Sequence, residues 1–148
     1  MTPTSIFVYG TLRKDQSHEM FHLLAKHGRF VGDATVAGRL FDLGEYPGMI
    51  CPDETHRVIG EIYEIHVADW NDVVTRLDKY EGCSSDDPGP HEYRRELVSA
   101  RLVSGAVVPA WAYVLTRFPA ADHEIESGDY LSWRAANLTN VPSGLPSR

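Results

Sequence analysis

The sequence predicts an α+β fold, a compact sheet or barrel carrying two helices. Three observations lead there. Segments with strand-like patterning outnumber those with helical spacing. One helical stripe, Trp70 to Glu81, is strong and lies between strand-like segments. The order of segments is not the regular alternation of strand and helix that a parallel sheet needs.

Each element has its own reason. Ile6-Phe7-Val8-Tyr9 is a short apolar run ending at Gly10, the pattern of a buried strand. A polar loop, Arg13 to Ser17, precedes a helix from His18 to His27, with Ser17 as cap and Gly28 as stop. Phe30 to Phe41 is rich in β-branched and apolar residues and reads as extended, broken at Gly32 and Gly38. Leu43 to Gly48 has turn chemistry. Val58 to Val67 sets Val58, Gly60, Ile62 and Glu64 against Ile59, Glu61, Tyr63 and Ile65, which is strand alternation.

Helix 70–81 has Asp69 placed to cap it, Asp72 in its first turn and Gly82 as a left-handed stop. Trp70, Val73, Val74, Leu77 and Tyr80 form its apolar stripe. A loop, Cys83 to His91, leads to two strands, Tyr93 to Val103 and Val107 to Leu115, joined at Ser104-Gly105 as a hairpin. Ser127-Gly128-Asp129-Tyr130 leads a short segment to Ala136, and Asn137 to Arg148 reads as a loose tail.

The 148 residues fit a single domain. A content of 43% hydrophobic, 10% aromatic and 24% charged residues suits a globular core. The net charge of -7 argues against nucleic acid as the main partner, because phosphate binding needs surplus base. No apolar run approaches the ~20 residues of a membrane span, and residues 1–5 lack a signal-peptide pattern. Cys51 and Cys83 make no disulfide framework, so a reducing, cytoplasmic setting is the simplest reading. Oligomeric state is left open.

Three constellations carry candidate chemistry. Tyr9-Gly10-Thr11-Leu12 is a strand-end turn whose backbone N–H groups can hold a carboxylate or an oxyanion. Spacing alone favours the alternative, a plain strand-end turn. Glu81 sits at the C-terminal end of its helix, where the dipole disfavours a carboxylate. If it is also desolvated its pKa rises, which suits proton transfer near neutral pH; a solvated helix-end acid is the alternative. His18-Glu19-Met20-Phe21-His22 spells the H-E-x-x-H of zinc peptidases. Against a peptidase, Ala25 and Gly28 stand where the longer motif needs Gly and His, and a third ligand would have to come from Glu45 or His56.

Cys83 reads as an ordinary thiol and Arg95 as half of an ion pair or a carboxylate grip. Tyr46, Tyr63 and Tyr113 line a cavity or fill the core.

Taken in order, several stretches resemble the γ-glutamylcyclotransferase-like (AIG2-like) family, nearest its branch that includes γ-glutamylamine cyclotransferase. They are Val8-Tyr9-Gly10-Thr11-Leu12-Arg13, Tyr46-Pro47-Gly48, Gly60 to Ile65, Leu77-Asp78-Lys79-Tyr80-Glu81-Gly82, Tyr93 with Arg95, Trp111-Ala112-Tyr113 and Ser127-Gly128-Asp129. The resemblance runs from about Ile6 to Trp133. It implies a small mixed β-barrel with flanking helices. It implies Glu81 as the catalytic acid/base, and a substrate cavity at Tyr9, Gly10, Thr11 and Leu12, with Tyr113 as a further lining residue. The implied reaction cyclises a γ-glutamyl amine to 5-oxoproline and a free amine, with no metal or cofactor. Where relatives often have Asn-His, this chain has Ser17-His18, so His18 belongs to the family pattern and His22 does not. The loop from Ser84 to His91 is longer and more acidic than in the smallest relatives. A non-catalytic binding module on the same scaffold remains the rival reading.

Overall fold

A computed structural model describes residues 2–10, 19–44 and 46–137. The elements run β1 (Ser5–Val8), α1 (Glu19–His27), β2 (Gly28–Ala37), β3 (Arg39–Asp42), β4 (Pro47–Ile50), β5 (Arg57–Ile65), α2 (Trp70–Glu81), β6 (Tyr93–Leu102), β7 (Val107–Leu115), β8 (Glu124–Ile125) and α3 (Tyr130–Ala136).

Five strands close a barrel in the order β1-β5-β2-β6-β7. Closure is mixed: β1 runs antiparallel to β5 and parallel to β7, where Ile6 pairs with Trp111. Period-two alternation sorts the side chains into two buried clusters. Phe7, Val36, Val58, Ile62 and Val114 share one with Ala34, Ala100, Ala110 and Ala112. Alanines are what a narrow five-stranded barrel has room for inside. Ile6, Val8, Tyr63, Ile65, Tyr93, Tyr113 and Leu115 point the other way and are covered by Leu23 and Leu24 of α1 and by Trp70, Val73, Val74 and Leu77 of α2. β4-β3-β8 form a second, three-stranded sheet.

Several expectations change in detail. The extended run 30–41 is two strands in two sheets, turning at Gly38. The turn at 43–48 already includes the start of β4, whose pairing with β3 brings Pro47 opposite Asp42. Gly28 is no left-handed helix stop. It is the first residue of β2, and a Cβ there would collide with the Glu64 carbonyl of β5. Asp69 stands at the N-cap position of α2 without a side-chain cap bond; its carboxylate lies 3.3 Å from His27 Nδ1 instead, tying the two helices. Gly82 does end α2 as expected, at φ 73°, with Cys83 N–H donating to the Asp78 carbonyl at 2.9 Å. Asp129 caps α3 through Ser132 N.

Among the described residues no helix is long and apolar enough to cross a membrane. The tail reading for 137–148 falls, beyond Asn137, outside the described residues.

Candidate active site

The last turn of α2 meets the paired strands β6 and β7 at the helix-covered face of the barrel, and the end of β1 is tied to β7. β1 delivers Tyr9 and Gly10, both buried. Thr11 and Leu12, the rest of the expected turn, lie outside the described residues, as does His18. The phenol of Tyr9 donates to the carbonyl of Tyr113 at 2.7 Å, which ties the strand end to β7.

Glu81 is the last residue of α2 and only 5% exposed. Its burial follows from helical spacing: Leu77 and Val74 precede it by four and seven residues on the apolar stripe, so the stripe's end is a carboxylate. Asp78 precedes it by three and shares that side of the helix. Asp78 accepts three hydrogen bonds. It accepts from Tyr113 Oη at 2.6 Å and from Arg95 Nε and Nη2 at 2.9 and 3.3 Å. The Arg95 guanidinium in turn lies 4.9 Å over the Trp111 ring. Arg95 and Tyr113 are directly opposite in the β6–β7 register, so the pleat aims both at α2.

Burial, and then the hydrogen bond to Asp78, push the Tyr113 phenol well above its usual range; the charge of Glu81 adds to the shift. Tyr113 is therefore a protonated hydroxyl whose one proton is directed at Asp78. Burial also pushes the Cys83 thiol up to about 11, with the charges of Asp78 and Glu81 adding to it. Cys83 is an unactivated free thiol, and so is Cys51, raised to about 11 chiefly by burial.

The remaining candidates separate. Tyr63 is 2% exposed and packs edge-on to Phe21 and Phe30, a core residue. Tyr46 donates to Glu92 at 2.7 Å, and its ring lies 6.2 Å from that of Tyr93. Tyr93 donates to the Pro47 carbonyl at 2.7 Å and anchors β4. His22 is exposed on α1 with an edge contact to Phe21. Asp78 carries no role in the sequence pattern alone, although its three-residue spacing from Glu81 is legible there.

One register step along β7 from Tyr113, Leu115 forms the wall of a cleft of about 320 Å³, with Leu43, Pro90, Glu92 and Phe118 around it. The 83–91 loop that leads there is organised by Asp87. Its carboxylate accepts from Ser84 N, Ser84 Oγ and Lys79 Nζ at 3.0, 2.7 and 3.2 Å, and these bonds lower its pKa. The acidity of this loop thus serves partly to fold it.

Comparison with known proteins bears on the family and the fold. The family model described as Gamma-glutamyl cyclotransferase, AIG2-like matches residues 6–132. A gamma-glutamylaminecyclotransferase of Bos taurus is 31% identical over 122 residues, covering 75% of this chain and 64% of that protein. The gamma-L-glutamyl-butirosin B gamma-glutamyl cyclotransferase of Niallia circulans is 28% identical over 147 residues, covering 97% and 83%. The crystal structure of an AIG2-like protein from Mus musculus superposes with a TM-score of 0.64 at 25% identity, over 88% of this chain and 89% of that one. The closed barrel, the flanking helices and the ordered motifs have one common explanation: this chain belongs to the gamma-glutamyl cyclotransferase, AIG2-like family.

Proposed function

We propose that this protein cyclises a γ-glutamyl amine, releasing 5-oxoproline and the free amine, with Glu81 moving the proton. The observation that carries the reading is a carboxylate, 5% exposed, at a helix C-terminus and near enough to Tyr113 for its charge to act on that phenol. Burial and the helix dipole both favour its neutral form, so it can take up a proton and return it.

The step balances within the substrate. The α-nitrogen attacks the γ-carbonyl carbon and a C–N bond forms. The bond from that carbon to the leaving nitrogen breaks. The α-ammonium gives up one proton to become the attacking amine and a second as the lactam N–H forms; the leaving nitrogen gains two and departs as an ammonium, Glu81 relaying the protons in turn, with no water consumed. Because nucleophile and electrophile belong to one molecule, the protein has to hold the chain in its folded-back conformer. In this reading the backbone N–H groups at Gly10, Thr11 and Leu12 hold the α-carboxylate or the oxyanion, and the cleft past Leu115 takes the amine half.

The test is to incubate the purified protein with a panel of γ-glutamyl amines and amino acids and to measure 5-oxoproline. Release by the wild type and its loss in Glu81→Gln supports the reading. Binding without turnover across the panel would make the protein a binding module instead.

A further inference from the structure

Resting on the reading above, we infer that Asp78 and Arg95 set the polarity of the Tyr113 hydroxyl, so that its oxygen accepts a hydrogen bond from the α-ammonium of the γ-glutamyl group.

A tyrosine hydroxyl has one proton and two acceptor lone pairs. At 2.6 Å from Asp78 Oδ1, the Tyr113 proton is committed to that carboxylate. It is not available to a substrate carbonyl or carboxylate. What Tyr113 Oη can still offer a third group is a lone pair, and the group that needs one is a donor.

The arrangement is held from three sides. The Tyr113 carbonyl is fixed by Tyr9 Oη at 2.7 Å. Asp78 is held in plane by both guanidinium bonds of Arg95 at 2.9 and 3.3 Å, a two-pronged grip that prevents the carboxylate from turning away. Arg95 is itself seated on Trp111. The guanidinium also balances the Asp78 charge. Burial and the bond to Asp78 hold the phenol protonated, so Tyr113 takes no part as an acid.

A positioned acceptor for the ammonium has a use in this chemistry. The nitrogen must reach its own γ-carbonyl and lose a proton to Glu81. An acceptor at Tyr113 beside Glu81 fixes where the nitrogen sits before the proton leaves. Asp78 and Arg95 are positioning residues here, acting through Tyr113.

The test is direct binding in the Glu81→Gln background, where turnover is absent, with two probes. One is L-γ-glutamylethylamide; the other is glutaric acid monoethylamide, the same molecule without the α-amino group. The ratio of their Kd values reports the ammonium contact alone. With Tyr113 intact the γ-glutamyl probe binds at least tenfold tighter. Tyr113→Phe brings the ratio near one. Asp78→Ala lowers it at least threefold when Tyr113 is present and has no further effect on top of Tyr113→Phe. If Asp78→Ala does not fold, as judged by circular dichroism, Arg95→Gln is read in the same way. A ratio unchanged in Tyr113→Phe overturns the inference and leaves the proposed reaction standing. An Asp78 effect of equal size with and without the Tyr113 hydroxyl also overturns it, since Asp78 would then act by another route. If neither probe binds the Glu81→Gln protein, the γ-glutamyl reading falls and takes this inference with it.

Discussion

Arg95 and Arg39 are held alike and serve different ends. Each grips a carboxylate through two nitrogens and lies against aromatic rings. Arg95 holds Asp78 and sits over Trp111. Arg39 holds Glu124 at 3.1 and 2.6 Å and lies 5.4 and 5.0 Å from the centres of Phe41 and Phe118. Around Arg39 the charges satisfy one another. His56 is 3.3 Å from Asp53 and 3.5 Å from Glu124, and Asp53 is 3.8 Å from Arg39. That cluster stitches β8 and the turn before β5 onto β3. Around Arg95 the bonds lead instead to a buried hydroxyl and to the neighbourhood of a buried acid, Glu81. An ion pair alone does not mark a site. The mark here is a well-held pair adjoining a buried titratable group, on elements that come from distant parts of the chain.

The comparison can be broken at several points. The largest effect is expected from Glu81→Gln: kcat falls about 10²–10⁴-fold while the melting temperature stays near that of the wild type. A large loss of stability would place Glu81 among structural residues, with the Arg39 cluster. Leu77 is fully buried where α2 meets the barrel, so Leu77→Ala should cost about 2–5 kcal/mol in urea unfolding. It should also reduce kcat under folded conditions, because Asp78 and Glu81 ride on that helix; stability loss with intact kcat would show that the site does not depend on the seat of α2.

Glu124→Gln is the converse case. It should lower the melting temperature by about 2–4 °C and leave kcat on a small γ-glutamyl amine unchanged. A drop in kcat would join the two clusters functionally. The Cys83 thiol, raised to about 11, should react with iodoacetamide at pH 8 about a hundredfold more slowly than free cysteine. Rapid labelling would mean that the surroundings of Glu81 are wetter than described.

The smallest effect is at acid pH. Hydrogen bonds from Thr55, with His56 adding, lower Asp53 to about 2. Its folded pKa lies below the unfolded value of about 3.9, so its contribution is complete above that pH and is lost as pH falls through about 2. Asp53→Asn should therefore lower the urea midpoint at pH 5, and the difference from the wild type should shrink as pH falls toward 2. Equal midpoints at both pH values would remove Asp53 from the cluster.

How much of this was legible depends on the range of the interactions. α2 could be read to the residue, because its stripe, Asp72 and the Gly82 stop are all local. The hairpin of β6 and β7 was equally local. The division of 30–41 into strands of two sheets was not. It depends on Gly38, where a Cβ would come 2.8 Å from the Ile50 carbonyl, a neighbour that only the fold supplies. Of the residues in the proposed site, Glu81 stands out in the sequence by its place at a helix end, and Tyr113 by a motif. Asp78 acquires its meaning from Arg95 and Tyr113, 17 and 35 residues away, and no periodicity announces such pairings. Asp69 is the reverse lesson: a good local cap signal yielded to a contact with His27 on another helix.

The central claim is that Glu81 moves the proton in an intramolecular cyclisation. The most direct test is quantitative release of 5-oxoproline and free amine from L-γ-glutamylethylamide by wild-type protein and by Glu81→Gln at matched concentration and fold. The account predicts equimolar products from the wild type and almost none from the variant. Equal product from both proteins would contradict it.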